Sequence, residues 1–401
     1  MEKTQTYYIK TYGCQANIAD SNTLAGVLEA LDFERVSVAE AQNEDEEFLK
    51  TLPNTDLFIV NTCSVRQKSE DKVYGLGRIL KRLKDDSEKL PFIIIAGCMV
   101  GSVTGERQRY EFEELRKKTP WANAYINPSQ IFEVPNILLE HNVLSEWAIQ
   151  KFNPASVTAV QDNKTHAFVN ISYGCDNFCT FCVVPYARGK EVSRSEEEII
   201  KEVTHLVARG FKEVTLCGQN VNSWGLNVKE KFKIRTGSNQ KLPFASLLRA
   251  VHEIVGLEKI SFISSNPFDF TTDLIEALKL PKTSNYLHMA VQSGNNAVLK
   301  RMNRRHTVEE FKELVGRIRQ EKPALELGTD IIVGFPGETR KQFMDTVKLF
   351  NEVKFNVAFI SIYSPRKGTP ADKFLKDNVT FKEKKWRHAY LTKVWKESLV
   401  S

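Results

Sequence analysis

Short apolar runs alternate with amphipathic stretches in the first third of this 401-residue chain. The apolar runs at residues 7–12, 57–60 and 92–96 have the length and composition of buried strands. Stretches with apolar residues at helical spacing follow them, at 20–31 and 71–83. Alternation of this kind predicts an α/β fold with an open, mostly parallel sheet flanked by helices.

The alternation restarts at Ala167 and becomes regular. The predicted strands are 167–173, 213–216, 260–263, 287–291, 328–333 and 357–363. The predicted helices between them are 195–209, 244–255, 272–280, 307–320 and 339–353. A closed eight-stranded barrel needs about 250 residues, so six strands in about 200 residues predict a partial (β/α)6 barrel.

These patterns divide the chain into four parts. We expect an N-terminal α/β domain at 1–145, a linker at 146–165, the barrel at 166–370 and a basic tail at 371–401. The longest apolar run, 92–100, is shorter than the ~20 residues of a membrane-spanning helix. The first residues lack the apolar core of a signal peptide. We therefore expect a cytoplasmic protein that does not associate with a membrane.

Charge is distributed unevenly between the two parts. Residues 1–160 hold 18 Lys and Arg against 23 Asp and Glu, whereas residues 161–401 hold 38 against 27. The basic second part favours a polyanionic partner. Its candidate RNA contacts are a tight basic group, Lys300, Arg301, Arg304 and Arg305, and three aromatic residues of the tail, Trp386, Tyr390 and Trp395. Such residues can hold phosphates and stack bases, but the tail aromatics also fit a helix packed on the barrel.

Three of the seven cysteines lie within eight residues of one another. Cys175, Cys179 and Cys182 form a C-x3-C-x2-C sequence directly after the first predicted barrel strand. A structural zinc site needs four ligands, and the next histidine, His205, is 23 residues further on. Three thiolates suit a 4Fe-4S cluster with one iron open to an external ligand. The alternative is a loop with three buried cysteines.

Three further cysteines, Cys14, Cys63 and Cys98, each follow a predicted strand. Because the carboxyl ends of neighbouring parallel strands meet at one crevice, these distant thiols could share one site. Buried cysteines at strand ends are the alternative. Cys217 falls inside a predicted strand, where we expect a buried residue and not a metal ligand.

The C-x3-C-x2-C sequence ahead of a sixfold β/α pattern resembles the radical S-adenosylmethionine (SAM) superfamily. This resemblance implies that Cys175, Cys179 and Cys182 hold a catalytic 4Fe-4S cluster whose open iron binds SAM. The reduced cluster would then cleave the SAM sulfonium and release a 5′-deoxyadenosyl radical. The resemblance also implies cofactor-binding roles for five matching residues: Phe181, Gln219, Gln292, Gly334 and Glu338.

The first part of the chain, at 11–17 and 61–66, is similar to the N-terminal domain of the methylthiotransferases within this superfamily. Further matching segments lie at 174–189, 218–223, 291–294, 302–304 and 363–370. In this family a second 4Fe-4S cluster is bound by the cysteines that match Cys14, Cys63 and Cys98. The resemblance thus implies two 4Fe-4S clusters and SAM as cofactors.

Residues 65–66 and 218–222 are typical of the branch that acts on N6-(dimethylallyl)adenosine in tRNA. We therefore expect methylthiolation of this nucleoside at C2, next to the anticodon, with sulfur from the second cluster and a methyl group from a second SAM. Alternatives are methylthiolation of threonylcarbamoyladenosine or of a ribosomal protein, and a non-catalytic iron–sulfur or zinc RNA-binding protein. The expected partners of the chain, itself a monomer, are this tRNA and an electron donor such as a flavodoxin or ferredoxin.

Two features depart from the family pattern. Asn266 stands before Pro267, where the family usually has a histidine. Members usually end with a small RNA-binding β-barrel (TRAM) domain, whereas this sequence ends at Ser401, as a truncated or a natural short form.

Overall fold

The computed structural model describes residues 4–86, 88–154, 157–161, 163–234 and 236–399. Positions 155, 156 and 162 of the predicted linker and 400–401 of the predicted tail lie outside this range. The chain forms two compact units, Met1–Asp162 with Val183–Gly189, and Asn163–Cys182 with Lys190–Ser401. The segment directly after Cys182 thus belongs to the first unit, which no sequence pattern predicts. The domain limits drawn from the sequence stay predictions.

The first unit is built on a parallel sheet. Its strands are β1 (Thr6–Tyr12), β2 (Glu34–Arg35), β3 (Leu57–Thr62), β4 (Phe92–Gly97) and β5 (Ala124–Ile126). Their order is β2-β1-β3-β4-β5, and every pairing is parallel. The predicted open parallel sheet is confirmed. The strand order reverses between β1 and β3, and open α/β sheets bind ligands beside such a reversal, outside the carboxyl ends of the strands.

Helices cover both faces of this sheet. They are α1 (Gln15–Glu29), α2 (Glu44–Thr51), α3 (Gln67–Asp85), α4 (Cys98–Thr104), α5 (Phe112–Lys118), α6 (Val134–Glu140), α7 (Glu146–Lys151) and α8 (Val184–Ala187). Neighbouring residues of the fully buried β3 point to opposite sides, as the strand period of two requires. Leu57 and Ile59 join one apolar core, and Phe58 and Val60 join the other.

The second unit contains the barrel strands and one short antiparallel pair of strands. They are β6 (His166–Asn170), β7 (Ser172–Tyr173), β8 (Val192–Ser193), β9 (Glu213–Cys217), β10 (Lys259–Phe262), β11 (Tyr286–His288), β12 (Glu326–Val333) and β13 (Val357–Ile362). Two parallel sheets, β10-β9-β6 and β11-β12-β13, are joined by a parallel bridge between Ser265 and Met289. Six parallel strands therefore follow one another in chain order, and the predicted partial barrel is confirmed.

Two predicted strands differ from the structure. The run 167–173 is divided, because β7 leaves the barrel and pairs antiparallel with β8. The predicted strand 287–291 ends as β11 at His288, and beyond it the backbone of Gln292 has φ 74°, outside the β region. Gln292 keeps only an isolated bridge to Ile331.

The helices of the second unit are α9 (Glu196–Ala208), α10 (Val228–Lys233), α11 (Pro243–His252), α12 (Thr272–Leu278), α13 (Asn296–Arg301), α14 (Val308–Glu321), α15 (Arg340–Val353), α16 (Pro370–Phe374) and α17 (Phe381–Ser398). Capping boxes at Ser195, Thr307 and Thr339 fix where α9, α14 and α15 begin. Within the described ranges, none of the helices has the length and apolar character needed to cross a membrane.

Helix α17 resolves the two alternatives for the basic tail. The Trp395 indole N–H donates to the Phe355 carbonyl at 3.0 Å. Trp386 and Tyr390 stack on each other at 5.2 Å and both meet the Phe343 ring edge-on. The aromatic residues of the tail therefore pack a helix onto the barrel, and the predicted base-stacking role for them is not supported.

Candidate functional site

The C-x3-C-x2-C loop lies between β7 and α8, beyond the carboxyl end of the first barrel strand. Cys175 and Cys179 are buried and Cys182 is half-buried. A hydrogen bond of 2.9 Å from the Cys182 N–H to the Cys179 carbonyl closes the turn between them. Burial raises the pKa of the Cys175 thiol, although the nearby Lys231 ammonium opposes this. A thiolate at Cys175 therefore needs a cationic partner, and bound iron would supply one.

The last residue of α13 and the residues directly after it hold this loop in place. Thr180 donates from its N–H to the Met302 carbonyl at 3.1 Å and from its hydroxyl to the Arg301 carbonyl at 2.9 Å. The Asn303 amide donates to the Phe178 carbonyl at 3.0 Å. Phe178 has φ 48°, an unfavourable backbone conformation for a side chain of this kind, and such strain is often found at functional loops. The loop is thus anchored by the segment that matches the family at 302–304.

Arg304 belongs to this anchor and not to an RNA-binding surface. It is buried, and its Nη1 lies 3.6 Å from the Cys179 sulfur and 2.7 Å from Asn266 Oδ1. Asn266, at the position where the family usually has a histidine, also donates to Asn220 at 2.7 Å. The expectation that Arg304 contacts RNA is therefore wrong, because a side chain with 9% exposure cannot reach a macromolecule.

The other members of the predicted basic group differ in exposure. Arg305 pairs with the buried Asp269 at 2.6 Å, and Arg301 is half-buried. Lys300 is exposed and stays a predicted RNA contact. Sequence reasoning could not separate these neighbours, because their charges are equal and only packing decides which ones reach solvent.

Three of the predicted SAM-binding residues lie at one place. The Phe181 ring meets the Phe335 ring edge-on at 6.4 Å, so the cysteine loop touches the loop after β12. In that loop Gly334, with φ 70°, donates its N–H to the Glu338 carboxylate at 2.6 Å. Glu338 is buried and forms an ion pair with Arg387 of α17 at 2.8 Å. Phe181, Gly334 and Glu338 thus organise this corner of the barrel, and their contact with SAM stays a prediction.

The two predicted glutamines follow the carboxyl ends of β9 and β11. Gln219 Oε1 is a buried oxygen that accepts no hydrogen bond from the part of the chain that the structure describes. An unpartnered buried acceptor costs about 1–3 kcal/mol, so a donor from a bound molecule fits this place. Gln292 is held in the unfavourable φ described above, which is typical of ligand-binding positions. Their cofactor contacts stay predictions.

The other cysteine set lies in the first unit. Cys14 follows β1 and caps α1, Cys63 follows β3, and Cys98 begins α4 directly after β4. The Cys14 and Cys98 thiols lie near enough to the Cys63 thiol to raise its pKa, and the Asn17 amide contacts both of them. The three thiols therefore meet at the carboxyl edge of the sheet, on both sides of the strand-order reversal. Their role as metal ligands stays a prediction.

Polar groups surround these thiols. The neighbouring Cys63 thiol, together with the positive charge of Arg188, outweighs the effect of burial and lowers the pKa of the Cys14 and Cys98 thiols. The Arg188 Nε–H points at the Cys98 sulfur, 3.2 Å away. Asn17 accepts from the Cys14 thiol at 3.5 Å and places its amide nitrogen 3.9 Å from Cys98. Sequence reasoning missed Arg188, whose only signal is its place inside the matching segment 174–189.

Each cysteine set has three thiols, one fewer than the four ligands of a structural zinc site. No group of three or more His, Cys, Asp or Glu side chains in the described ranges is arranged to hold one metal ion. Three thiols per set leave one iron of a 4Fe-4S cluster open. Each set is contacted by a buried arginine with an unpartnered nitrogen: Arg188 Nη1 and Arg304 Nε have no partner within the described residues, as expected where a bound group is part of the site. Cys217 is a fully buried residue of β9, as predicted.

Comparison with known proteins gives two family matches. Residues 169–350 match the Radical SAM superfamily, and residues 6–124 match Uncharacterized protein family UPF0004. Among curated proteins, the chain is 40% identical to a tRNA-2-methylthio-N(6)-dimethylallyladenosine synthase of Clostridium botulinum (strain Loch Maree / Type A3), over 92% of this chain and 76% of the relative. It is 39% identical to the protein of that name from Clostridium tetani, over 91% of this chain and 76% of that relative.

Solved structures show the same fold at low sequence identity. The radical SAM methyltransferase TsrM from Kitasatospora setae superimposes with a TM-score of 0.61 at 13% identity, over 92% of this chain and 75% of that one. The cobalamin-dependent SAM radical enzyme OxsB gives a TM-score of 0.56 at 13% identity, over 94% of this chain and 56% of the OxsB chain.

The matches to known proteins cover both parts of the chain, including the segments that contain the two cysteine sets. The relatives at about 40% identity span nearly the whole chain, and both family matches cover the segments that carry the cysteines. We conclude that this chain belongs to the methylthiotransferase family of radical SAM enzymes, whose cofactors are 4Fe-4S clusters and SAM.

Proposed function

We propose that this enzyme methylthiolates C2 of N6-(dimethylallyl)adenosine next to the anticodon of tRNA. The names of the curated relatives support this substrate. The observation that carries the proposal is that each unit gathers three cysteines and places one buried arginine within 3.2 or 3.6 Å of a sulfur. A binding protein without catalysis would have no need for two such sets.

The target atom explains why a cofactor is required. An aromatic C–H bond of a nucleobase has no leaving group and no useful acidity, so side-chain acids and bases cannot replace its hydrogen by sulfur. Radical chemistry of this kind is supplied by SAM and iron–sulfur clusters when they are bound. The chain itself must bind these groups, orient them and keep water away from the reaction.

The residues of the second unit are suited to that task. Cys175, Cys179 and Cys182 would hold the cluster that binds SAM, and the first two are buried, which keeps water from that site. The loop is fixed through Thr180, and Arg304 presents a charge to Cys179. These contacts fix the loop that carries the three cysteines and place Arg304 beside the Cys179 sulfur.

The first-unit thiols would hold the second cluster, which presents sulfur to the nucleoside. Cys14 and Cys98 lie beside Cys63, and both contact Asn17. The polar side chains of Asn17 and Arg188 face these sulfurs. An external electron donor such as a flavodoxin or ferredoxin, and a cytoplasmic location beside the tRNA pool, belong to the same proposal.

Nucleoside mass spectrometry tests the proposal. The full chain, reconstituted anaerobically with iron and sulfide, is incubated with SAM, dithionite and tRNA that carries N6-(dimethylallyl)adenosine. We expect the 2-methylthio nucleoside to form, and Cys217→Ala to form it equally well. Product on tRNA with threonylcarbamoyladenosine alone would contradict the proposed substrate. Turnover of SAM without any methylthio product on either tRNA would contradict the proposed reaction.

A further inference from the structure

Arg188 is a buried cation whose hydrogen-bonding capacity the first unit uses only in part. Its side chain is 2% exposed. Nε–H donates to the Cys98 sulfur at 3.2 Å, and Nη2 donates to the equally buried carboxylate of Asp20. Nη1 is also buried, and no acceptor within the described ranges reaches it. One edge of a planar, always charged group is therefore left without a partner.

Such an arrangement is costly unless something else binds there. A buried donor without an acceptor costs about 1–3 kcal/mol, and a charged donor costs more. Most buried polar atoms in native proteins have a partner, and a bound ligand, an ion or an ordered water supplies it where no protein group does. The three thiols of Cys14, Cys63 and Cys98 are the neighbouring groups, and an anionic iron–sulfur cluster on them would bring sulfur acceptors to the guanidinium.

The backbone fixes Arg188 in this position. A Cβ atom at Gly101 of α4 would lie 1.9 Å from the Ala187 carbonyl oxygen, so only glycine lets the segment approach this closely. Gly189, directly after Arg188, has φ 73°, a conformation that favours glycine. The segment is thus seated against the helix that Cys98 begins. Arg188 is also only six residues beyond Cys182 in the sequence.

We propose that Arg188 is a positioning residue for the group bound by Cys14, Cys63 and Cys98, and that its Nη1 donates a hydrogen bond to an inorganic sulfur of that cluster. This proposal rests on the cluster assignment in the proposed function. The guanidinium would hold the cluster against loss of iron. Its charge would also favour the reduced, more negative form of the cluster.

The test isolates the first-unit cluster within the full-length chain. The background carries Cys175→Ala, Cys179→Ala and Cys182→Ala and is reconstituted with iron and sulfide. We then measure iron per chain, the rate of iron loss to a ferrous chelator, and the reduction potential by EPR-monitored titration. None of these readouts depends on turnover.

Four variants of that background separate the possible roles of the arginine. R188Q removes the charge and the planar donor. R188K keeps the charge but lacks the planar fork of donors. The double variant D20N/R188Q removes the buried carboxylate as well, so no charge is left unpaired. R82Q, at a side chain 69% exposed on α3, is the matched control.

We expect R188Q to lose iron about 10- to 100-fold faster than the background, the usual effect of removing a partner that supports a metal site. Its reduction potential should become more negative, because a nearby positive charge is gone. R188K should keep the reduction potential of the background, but it should lose iron faster than the background does. D20N/R188Q should behave like R188Q, and R82Q like the background.

Three results would overturn the proposal. If D20N/R188Q retains iron as the background does, Arg188 serves only to neutralise Asp20. If every variant keeps its iron at the same rate and potential, the arginine is no partner of the cluster, although the cluster assignment stands. If the background itself binds no iron, the assignment of a cluster to the first-unit cysteines fails, and the role of Arg188 fails with it.

Discussion

Replacing Cys14, Cys63 and Cys98 together by alanine should remove half of the iron and the methylthio product, while SAM cleavage continues. The two cysteine sets lie in different compact units of the chain. Each set has three thiols and is expected to hold one 4Fe-4S cluster. Iron should therefore fall from about eight to about four per chain, the loss of one 4Fe-4S cluster.

The expected loss of stability can be worked from the environment of the thiols. Cys63 and Cys98 are buried. Removing a buried group the size of a methylene costs about 0.8 kcal/mol, and this cost applies to each of the two cysteines. The Arg188 Nε–H would lose its sulfur acceptor, which adds about 1–3 kcal/mol. The total of about 3–5 kcal/mol lies below the stability of most folded domains, about 5–15 kcal/mol. The variant should fold, with a lowered unfolding midpoint in urea.

The assay combines three measurements on the same reconstituted samples. Iron and sulfide analysis counts the clusters, chromatography detects 5′-deoxyadenosine, and nucleoside mass spectrometry detects the methylthio product. Cys217→Ala is the matched control, because this cysteine is fully buried in β9 and is not expected to bind iron. It should keep about eight irons, the content of two 4Fe-4S clusters, and both activities.

Two results would refute this reasoning. A triple variant that still methylthiolates tRNA would show that the first-unit cysteines are structural. A variant that keeps four irons but no longer cleaves SAM would show that the roles of the two cysteine sets are exchanged.

Three further predictions follow from the second unit. Alanine at any one cysteine of the C-x3-C-x2-C loop should abolish 5′-deoxyadenosine formation, and retention of this product in one variant would exclude that cysteine as a ligand. Arg387→Gln should lower the free energy of unfolding in urea by about 3–5 kcal/mol, because it leaves the Glu338 carboxylate buried and unpaired; E338Q/R387Q should recover part of this loss. Arg304→Gln should reduce 5′-deoxyadenosine formation about 10- to 100-fold through the lost support of Cys179, with unchanged tRNA affinity in a filter-binding assay. A variant that loses tRNA binding alone would contradict this role.

The sequence by itself determined the order of the elements and the local cysteine site. Apolar periodicity is set by neighbours along the chain, so it located most barrel strands to within a residue or two. The C-x3-C-x2-C loop is equally local, because its three thiols lie within eight consecutive residues. The meeting of Cys14, Cys63 and Cys98 also followed from the sequence, through the rule that parallel strands end at one edge.

Only the tertiary structure decided which side chains face these sites. Arg188 approaches Cys98, 90 positions away, and Asp20, 168 positions away, and no periodicity links residues so far apart. Arg304 and Lys300 have the same charge and are close neighbours in the sequence, yet one lies against Cys179 and the other lies in solvent. The physical reason is that spacing along the chain fixes local conformation, whereas burial depends on which distant elements pack against a residue.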